Sequence, residues 1–266
     1  MSERQSIKVS GTKEWSVASA NCILGCSHRC RYCYAAANAV RRGQCPDREA
    51  WGTSYLRVRS AEVKKRRRKE NGRIMFPTTH DIMPQFLGEC LHVTRNILTA
   101  DNDLLIVSKP HLSCIEHVCR ELRLWRNRIM FRFSIGSMND SILGYWEPGA
   151  PSFEERFASL RHARREGYST SVSMEPLLDS DNVVDIVDTL APHVTDSIWI
   201  GKMNQVESRT TPGTSVLEIA RIMRGQTDDA VRRIYESLKQ HPLIRWKESY
   251  KTVLGLSLAQ QAGLDV

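Results

Sequence analysis

A short segment near the start of the chain concentrates thiols at a spacing that suits metal chemistry. Residues 22–33 read CILGCSHRCRYC, so four of the eight cysteines of the chain fall within them. Cys26, Cys30 and Cys33 form a C-x3-C-x2-C set. Three thiolates from one tight loop bind three irons of a [4Fe–4S] cluster and leave the fourth iron open. The sequence therefore predicts a cluster on these three cysteines, whose open iron binds a ligand and passes an electron to it.

A structural zinc site with Cys22 as the fourth ligand is the alternative. Zinc sites commonly divide their cysteines between two separated pairs, and no second pair with a partner histidine set follows later in the chain. The spacing therefore favours the cluster, with Cys22 as a buried thiol at the end of a strand and His28 as a surface residue. The remaining cysteines are predicted to be buried or inert thiols, as free cysteines usually are: Cys45, Cys90, Cys114 and Cys119.

Composition limits the class of protein. The chain has 266 residues, of which 41% are hydrophobic, enough for one α/β domain or two small ones. Its first sixteen residues lack the apolar core of a signal peptide, and it has no apolar stretch of membrane-spanning length. Clustered cysteines without a disulfide framework are typical of an intracellular metal site. We therefore expect a cytoplasmic protein that does not enter a membrane.

Positive charge is the second compositional signal. The formal net charge is +8, and six consecutive cations occupy Lys64–Lys69. A net charge of this sign suits a polyanionic partner such as a nucleic acid. Such a run is either a solvated surface segment or a nucleic-acid contact, and the sequence leaves both alternatives open.

Short apolar runs alternate with amphipathic stretches from Arg73 onward, and this pattern predicts the elements that position the motifs. Such alternation is typical of βαβ units with a parallel sheet, whose functional groups collect at the carboxyl ends of the strands. The fold class expected is α/β, a parallel (β/α)6-type partial TIM barrel. The predicted strands are Asn21–Leu24, Arg73–Pro77, Leu104–Ser108, Ile129–Ser134, Ser169–Met174 and Ser197–Gly201. The predicted helices between them are Gln85–Thr99, Leu112–Leu124, Ser152–Glu166 and Asn182–Leu190.

The pattern changes near residue 205. Residues 206–212 are polar and turn-like, and helices are predicted near Val216–Arg224 and Asp228–Gln240, with a short strand at Leu243–Trp246. We therefore expect residues 1–205 to form the partial barrel, with the cluster loop at 25–34. Residues 206–266 are expected to form a helical extension that completes or caps it.

The cysteine loop resembles the cluster motif of the radical S-adenosylmethionine (SAM) superfamily. A narrower resemblance, to the spore photoproduct lyase-like group and its uncharacterised phage relatives, rests on motifs in order along the chain. These are Gly25–Tyr34, Thr79–Asp81 with Pro84, Ser108–Lys109, Ser134–Ile135, Glu147–Pro151 with Arg156, and Ser173–Pro176. A Trp246–Ser249 motif also resembles the tail of the phage relatives. The resemblance implies a [4Fe–4S] cluster and SAM as cofactors, and an external electron donor of flavodoxin or ferredoxin type.

The resemblance also implies roles for individual residues. Tyr32 is expected beside the adenine of SAM, Lys109 and Ser134 at its carboxylate, and Asp81 at its amine. Glu147 is expected at the cofactor ribose or in an ion pair with Arg156, which fixes the loop. Glu175 is the candidate catalytic carboxylate. The photoproduct lyase carries an additional hydrogen-donor cysteine that has no counterpart near Phe76–Asp81, so its repair reaction does not transfer to this chain.

Three functions follow from these observations. The first is a radical SAM enzyme that generates a 5′-deoxyadenosyl radical and abstracts hydrogen from a nucleic acid or a modified nucleotide. The second is a radical SAM enzyme that acts on a small metabolite. The third is a non-catalytic nucleic-acid-binding protein stabilised by zinc or by a cluster.

Overall fold

The computed structural model describes residues 9–263. The strands are β1 (Ala18–Ser19), β2 (Ile23–Leu24), β3 (Arg57–Val58), β4 (Ile74–Phe76), β5 (Leu104–Ser108), β6 (Ile129–Ser134), β7 (Ser169–Met174), β8 (Ile198–Ile200) and β9 (Ile244–Trp246). The helices are α1 (Tyr34–Arg41), α2 (Arg48–Gly52), α3 (Ser60–Lys64), α4 (Leu87–Thr99), α5 (Leu112–Leu122), α6 (Asp140–Trp146), α7 (Phe153–Arg165), α8 (Val183–Leu190), α9 (Val206–Arg209), α10 (Val216–Gly225), α11 (Asp228–Leu238) and α12 (Glu248–Leu254).

Seven of the strands form one parallel sheet in the order β1-β4-β5-β6-β7-β8-β9. Within residues 9–263 the edge strands β1 and β9 do not pair with each other, so the sheet is an open barrel. Strands β4 to β7 are joined by helices, as right-handed crossovers between parallel neighbours require. The predicted α/β partial barrel is confirmed, with seven strands in the sheet where six were expected.

The first strand of the sheet was wrongly predicted. Ala18 and Ser19 pair with β4, whereas the expected segment Asn21–Leu24 contributes β2, which pairs antiparallel with β3 in a separate two-stranded sheet. The backbone N–H of Cys22 donates to the buried His80 ring at 3.0 Å, so the chain leaves the parallel sheet before β2. A strand of two residues carries no period-two alternation, so the sequence pattern does not reveal β1.

The two faces of the parallel sheet bury different residues. Ile74, Phe76 and Phe131 belong to the main core beneath the surrounding helices. Their neighbours in the strands point into the barrel, where Met75, Leu105, Met130, Trp199 and Trp15 form a second cluster. Because side chains alternate along a strand, nearly continuous apolar runs are needed to fill both faces. The predicted strands Leu104–Ser108, Ile129–Ser134 and Ser169–Met174 carry such runs or small polar residues, and they are confirmed to the residue.

Helix α7 illustrates how local signals set the boundaries. Ser152 caps its first turn, where the Ser152 hydroxyl accepts from the backbone N–H of Glu155 at 3.3 Å. Gly167, with φ +80°, follows its last turn. The helix begins and ends within one residue of the predicted range Ser152–Glu166. The Ser152 cap fixes the end of the loop that precedes α7, and this loop contacts the cysteine loop.

The segment after residue 205 contains α9 to α12 and β9. Strand β9 extends the sheet, since Ile244, Arg245 and Trp246 pair in parallel with β8. The division of the chain at residue 205 stays a prediction. In the stretch from residue 9 to residue 263, no helix combines the length and the apolar character that crossing a membrane requires.

Candidate active site

The cysteine loop runs from β2 to α1 at the carboxyl edge of the sheet. Gly25 has φ +89°, and a Cβ there would lie 2.6 Å from the Trp51 carbonyl oxygen, so glycine is required at the start of the loop. The Cys26 N–H donates to that carbonyl at 3.2 Å. At the other end, Cys33 caps α1, and its Sγ accepts from the Ala36 N–H at 3.4 Å. Both ends of the loop are thus held by the backbone of neighbouring elements.

The three predicted cluster ligands line one cavity of about 450 Å³ within the barrel mouth. Burial raises the pKa of Cys30 to about 12. Burial, the Asp81 charge and the other two thiols raise the pKa of Cys26 well above its usual range. Three thiolates this close need positive charge between them, which a bound metal cluster provides. Across residues 9–263, no three His, Cys, Asp or Glu side chains converge as ligands of a single ion do. In a cubane, three cysteines bind three different irons.

Cys22 lies away from this cavity. Its side chain is fully buried, and its Sγ is 4.0 Å from Cys90 Sγ. This position fits the predicted buried thiol and separates Cys22 from the other three cysteines of the loop. The four cysteines outside the loop are also buried, as predicted.

His28 was expected at the surface, and that prediction is wrong. The residue is only 1% exposed. Its Nδ1 lies 3.3 Å from Asp81 Oδ2, and its Nε2 lies 3.2 Å from His111 Nε2. The polar neighbours of His28 in sequence suggest exposure, but its partners come from segments more than fifty residues away. His28 therefore faces the barrel, and it ties the cluster loop to the segments that follow β4 and β5.

Asp81, at the carboxyl end of β4, accepts hydrogen bonds on both oxygens. Oδ1 accepts from the Ile82 N–H at 2.7 Å and from the Ser108 hydroxyl, and Oδ2 accepts from the Lys109 N–H at 2.8 Å. Burial favours the protonated acid, but His28, Lys109 and Ser108 together hold the pKa of Asp81 below its ordinary value. Asp81 thus ties the end of β4 to the end of β5 and to the cluster loop. Its contact with the SAM amine stays a prediction.

Glu147 is the centre of a buried ion cluster beside the cysteines. Its Oε2 lies 2.5 Å from Arg156 Nη1, and its Oε1 lies 3.8 Å from Lys109 Nζ and accepts from the Tyr32 hydroxyl. Burial raises the pKa of Glu147, but Arg156 and Lys109 more than offset this, so the carboxylate is charged. Burial lowers the pKa of Lys109, but the charges of Cys30 and Glu147 outweigh burial and raise that pKa above its ordinary value. Two cations meet one anion within this cluster, and Asp81 is the next carboxylate near Lys109.

The loop that carries Glu147 is packed against the cluster loop. A Cβ at Gly149 would lie 2.1 Å from the Ser27 carbonyl oxygen, and the Gly149 N–H donates to the His28 carbonyl at 3.0 Å. Only glycine permits this approach. Arg156 fixes the same loop, because its Nε donates to the Pro151 carbonyl at 2.8 Å. The structural ion pair between Arg156 and Glu147 is therefore observed as expected.

The remaining predicted site residues line the same cavity. Ser134 stands at the end of β6, and Glu175 follows β7. Glu175 pairs with Lys247 at 3.3 Å, a residue that the sequence singled out only as part of a tail motif of unknown role. The structure thus brings together Tyr32, Asp81, Lys109, Ser134, Glu175 and the three cysteines around one space. Their roles stay predictions.

The basic run Lys64–Lys69 lies elsewhere. Arg67 pairs with Glu62 at 3.6 Å, and Lys69 pairs at 3.4 Å with Asp101, in the turn that leads into the amino end of β5. The run therefore descends along the flank of the barrel toward the edge opposite the cysteine loop. Within the described residues, Lys64, Lys65 and Arg66 have no carboxylate partner, so they remain available to a polyanion.

The open parallel barrel matches the fold of solved radical SAM enzymes. No family model matches the chain. A structure of spore photoproduct lyase carrying a cysteine-to-alanine change superposes with a TM-score of 0.57 at 16% identity, over 92% of this chain and 79% of that one. SuiB of Streptococcus suis bound to its precursor peptide SuiA gives 0.57 at 10% identity, over 93% and 54%. Both neighbours are radical SAM enzymes.

Further comparisons name ligands and a viral relative. Spore photoproduct lyase complexed with dinucleoside spore photoproduct gives a TM-score of 0.55 at 16% identity, over 92% of this chain and 79% of that one. In sequence, an uncharacterized protein, ORF301 of Acidianus two-tailed virus, is 26% identical over 176 residues, or 61% of this chain and 56% of that protein. The chain thus spans little more than half the length of this viral relative and of SuiB.

Proposed function

We propose that this protein is a radical SAM enzyme with a [4Fe–4S] cluster on Cys26, Cys30 and Cys33. The observation that carries the proposal is the shared cavity, in which three half-buried thiols lie beside a cation-rich ion cluster at the carboxyl edge of a parallel barrel. The donor set fits the group, because three thiolates leave one iron for SAM. When bound, the cluster and SAM supply reductive cleavage to a 5′-deoxyadenosyl radical, and the protein supplies placement.

The residues around the cavity have distinct tasks in this proposal. Lys109 pairs with the SAM carboxylate, because the Lys109–Glu147–Arg156 cluster has one positive charge in excess. Ser134 donates a hydrogen bond to the same carboxylate. Tyr32 lies beside the adenine, with its hydroxyl held by Glu147. Asp81 holds the backbone of Lys109 and, through His28, the cluster loop.

We further propose that the substrate is a nucleic acid or a modified nucleotide. The net charge of +8 and the free cations of the basic run support a polyanionic partner. The likeness in fold to spore photoproduct lyase, which has been seen with a dinucleoside photoproduct, supports the same class. A small-metabolite substrate predicts no binding to nucleic acid, whereas phosphate contacts predict binding that falls steeply with salt.

An external one-electron donor completes the proposed function. A second cavity of about 270 Å³ reaches the same three cysteines from the other side of the loop. Arg29, Arg31 and Arg48 line it together with one carboxylate, Glu49, which pairs with the exposed Arg29 at 3.2 Å. Such a positive surface favours an acidic donor of flavodoxin or ferredoxin type, because complementary charge steers association.

Anaerobic reconstitution tests the proposed function. Protein loaded with iron and sulfide, then given dithionite and SAM, is expected to form 5′-deoxyadenosine. Cys30→Ala is expected to lose both the visible absorbance of the iron–sulfur cluster and the cleavage of SAM. Cys45→Ala is the matched control, since Cys45 is a buried thiol that lines neither cavity. Cleavage of SAM by Cys30→Ala at the parental rate contradicts the ligand assignment.

A further inference from the structure

The gap between the edge strands β1 and β9 is occupied by the segment that precedes β1. Residues Gly11–Glu14 form a short 3-10 turn, and Trp15 enters the barrel next to Trp199, with ring centroids 5.7 Å apart. The Glu248 N–H, just after β9, donates to Glu14 Oε2 at 3.1 Å. This segment therefore links the two edges of the open sheet and also lines the cavity.

Lys247 holds this junction together from inside. It is 1% exposed, and its Nζ lies 2.8 Å from Glu14 Oε1, 3.0 Å from the Gly11 carbonyl oxygen and 3.9 Å from the Trp15 ring centroid. The same ammonium lies 3.3 Å from Glu175 Oε2. A buried ammonium is stable only when it is fully paired, and Lys247 has four partners. Lys247 therefore fixes both the Glu175 carboxylate and residues Gly11–Trp15, which we call the seam segment.

Glu175 presents its other oxygen to the cavity. Oε2 faces Lys247, and Oε1 has no hydrogen-bond or ion-pair partner within the described part of the chain. The side chain is 19% exposed, and it lines the cavity. Burial raises the pKa of Glu175, which Lys247 opposes. An acceptor that is held rigidly and left half-satisfied is suited to a donor from a bound molecule.

Two cations also line the same cavity. Arg209 lines it without a carboxylate partner among residues 9–263, and Lys202 lines it with only the exposed Asp228 at 3.5 Å. The ring of Tyr34, which is 37% exposed, lines the same cavity. Two cations in the lining repel a cationic substrate and attract a phosphate. The cavity lining therefore offers a site for an anion, a stacking surface and a hydrogen-bond acceptor.

We propose that this end of the cavity binds a nucleotide unit whose base carries an amino group. Glu175 Oε1 accepts from the amino N–H, Tyr34 stacks on the base, and Arg209 and Lys202 pair with the phosphate. Lys247 is the positioning residue that aims Glu175. The inference rests on the proposed function and deepens it by naming the substrate class and the residues that select it.

The chemistry of the bases explains the preference for an amino group. A carboxylate accepts well from the amines of cytosine, adenine and guanine. Thymine and uracil offer one imide N–H between two carbonyl oxygens, and those oxygens repel a carboxylate. The same recognition suits a free nucleotide or a nucleotide extruded from a strand, because both present a phosphate and one base.

Equilibrium binding without reductant tests this inference. The probes are the 5′-monophosphates of deoxyadenosine, deoxycytidine, deoxyguanosine and thymidine, the four matching nucleosides, and single-stranded DNA pentamers of each base. At least one amino-bearing monophosphate is expected to bind about tenfold more tightly than thymidine monophosphate. Glu175→Ala is expected to remove that difference, and Arg209→Gln to remove the advantage of nucleotide over nucleoside. Tighter binding of pentamers than of monophosphates identifies a strand as the source, and the reverse identifies a free nucleotide.

Three variants separate positioning from folding. Lys247→Met is expected to remove the preference between bases, and Lys247→Arg to restore most of it, while circular dichroism reports whether each variant is folded. Glu236→Gln, at an exposed site on α11, is the control and is expected to bind as the parent does. Equal binding of all four monophosphates by the parent overturns the inference. So does tighter binding of a cationic probe, arginine amide, than of any monophosphate.

The protein is tested both without added iron and after reconstitution with SAM. Discrimination between bases without any cleavage of SAM leaves this inference standing and contradicts the proposed function. Cleavage of SAM by protein that does not discriminate between bases supports the proposed function and overturns this inference.

Discussion

The two ends of the central cavity contain buried ion clusters of opposite sign. At the cofactor end, one carboxylate, Glu147, is held between two cations, Arg156 and Lys109. At the far end, one ammonium, Lys247, is held between two carboxylates, Glu14 and Glu175. Within these two groups of three side chains the summed charge is positive at the first end and negative at the second, while Asp81 adds a negative charge near Lys109 and Lys251 a positive charge near Glu14. The comparison indicates that each end is prepared for a complementary group, a carboxylate beside the cysteines and an N–H donor beside Glu175.

Both clusters are expensive to break and contribute little to net stability. Removing one partner of a buried pair costs about 3–5 kcal/mol because the other charge is left uncompensated, whereas the intact pair barely offsets its desolvation. Clusters of this kind are retained where their charge has a task, so substitutions that change one end at a time separate the two tasks.

The largest effect is expected at the cofactor end from Arg156→Met. Glu147 would be left with Lys109, 3.8 Å away, as its only cation and with the Tyr32 hydroxyl as a donor, and the loop over the cluster motif would lose the bond to Pro151. We expect a loss of about 3–5 kcal/mol in the free energy of unfolding, measured by urea denaturation. Glu154→Gln on the same helix, at a site with no ion pair among the described residues, is the control. A variant as stable as the parent would contradict the buried ion cluster.

A loss of similar origin but smaller size is expected at the other end from Lys247→Met. Burial raises the pKa of Glu175, so Glu175 can take up a proton once the ammonium is removed, and the cost is reduced to about 2–3 kcal/mol. Hydrogen exchange should accelerate in Gly11–Trp15 and stay at the parental rate in α1. Uniform acceleration of exchange through the chain would show that Lys247 supports the whole fold rather than the seam segment.

His28→Leu gives the third effect. It removes the contacts of the cluster loop with Asp81 and His111, and it leaves Asp81 with one fewer donor. We expect about 1–2 kcal/mol of destabilisation and a lower iron content after reconstitution. His117→Leu, on the exposed face of α5, is the matched control. Full iron loading of the His28 variant would show that the loop needs no such anchor.

The smallest effect on stability is expected in the basic run. Replacing Lys64, Lys65 and Arg66 by Ala should change the free energy of unfolding by less than about 0.5 kcal/mol, because these side chains are solvated. If the run contacts phosphates, the slope of log affinity for DNA against log salt should fall by up to about 3. An unchanged slope would assign the run to a solvated surface.

The sequence predicted most of the sheet and the loop that defines the candidate site. Strands of five or six residues carry enough buried side chains to be recognised, and β5, β6 and β7 have the predicted bounds. The cysteine spacing is local, so it is visible without a structure. What escaped prediction depends on distant partners. Strand β1 has two residues, and His28 is buried by Asp81 and His111.

Lys247 and Trp15 show the same limit at the other end of the cavity. They lie more than two hundred residues apart in sequence, and they meet only because the sheet brings its two edges together. A lysine in a short motif gives no sign of burial, since lysine is among the least buried residue types. Its partners become apparent only when the structure shows the seam segment between the two edges of the sheet.

The most direct test is the metal content and spectrum of the anaerobically reconstituted chain. A [4Fe–4S] cluster with an open iron predicts about four irons and four labile sulfides per chain, and an electron paramagnetic resonance signal, after reduction, that changes when SAM is added. That change should be absent in Cys30→Ala and present in Cys45→Ala. A single tetrahedral zinc bound by four sulfurs, with no labile sulfide, would contradict the proposed enzyme.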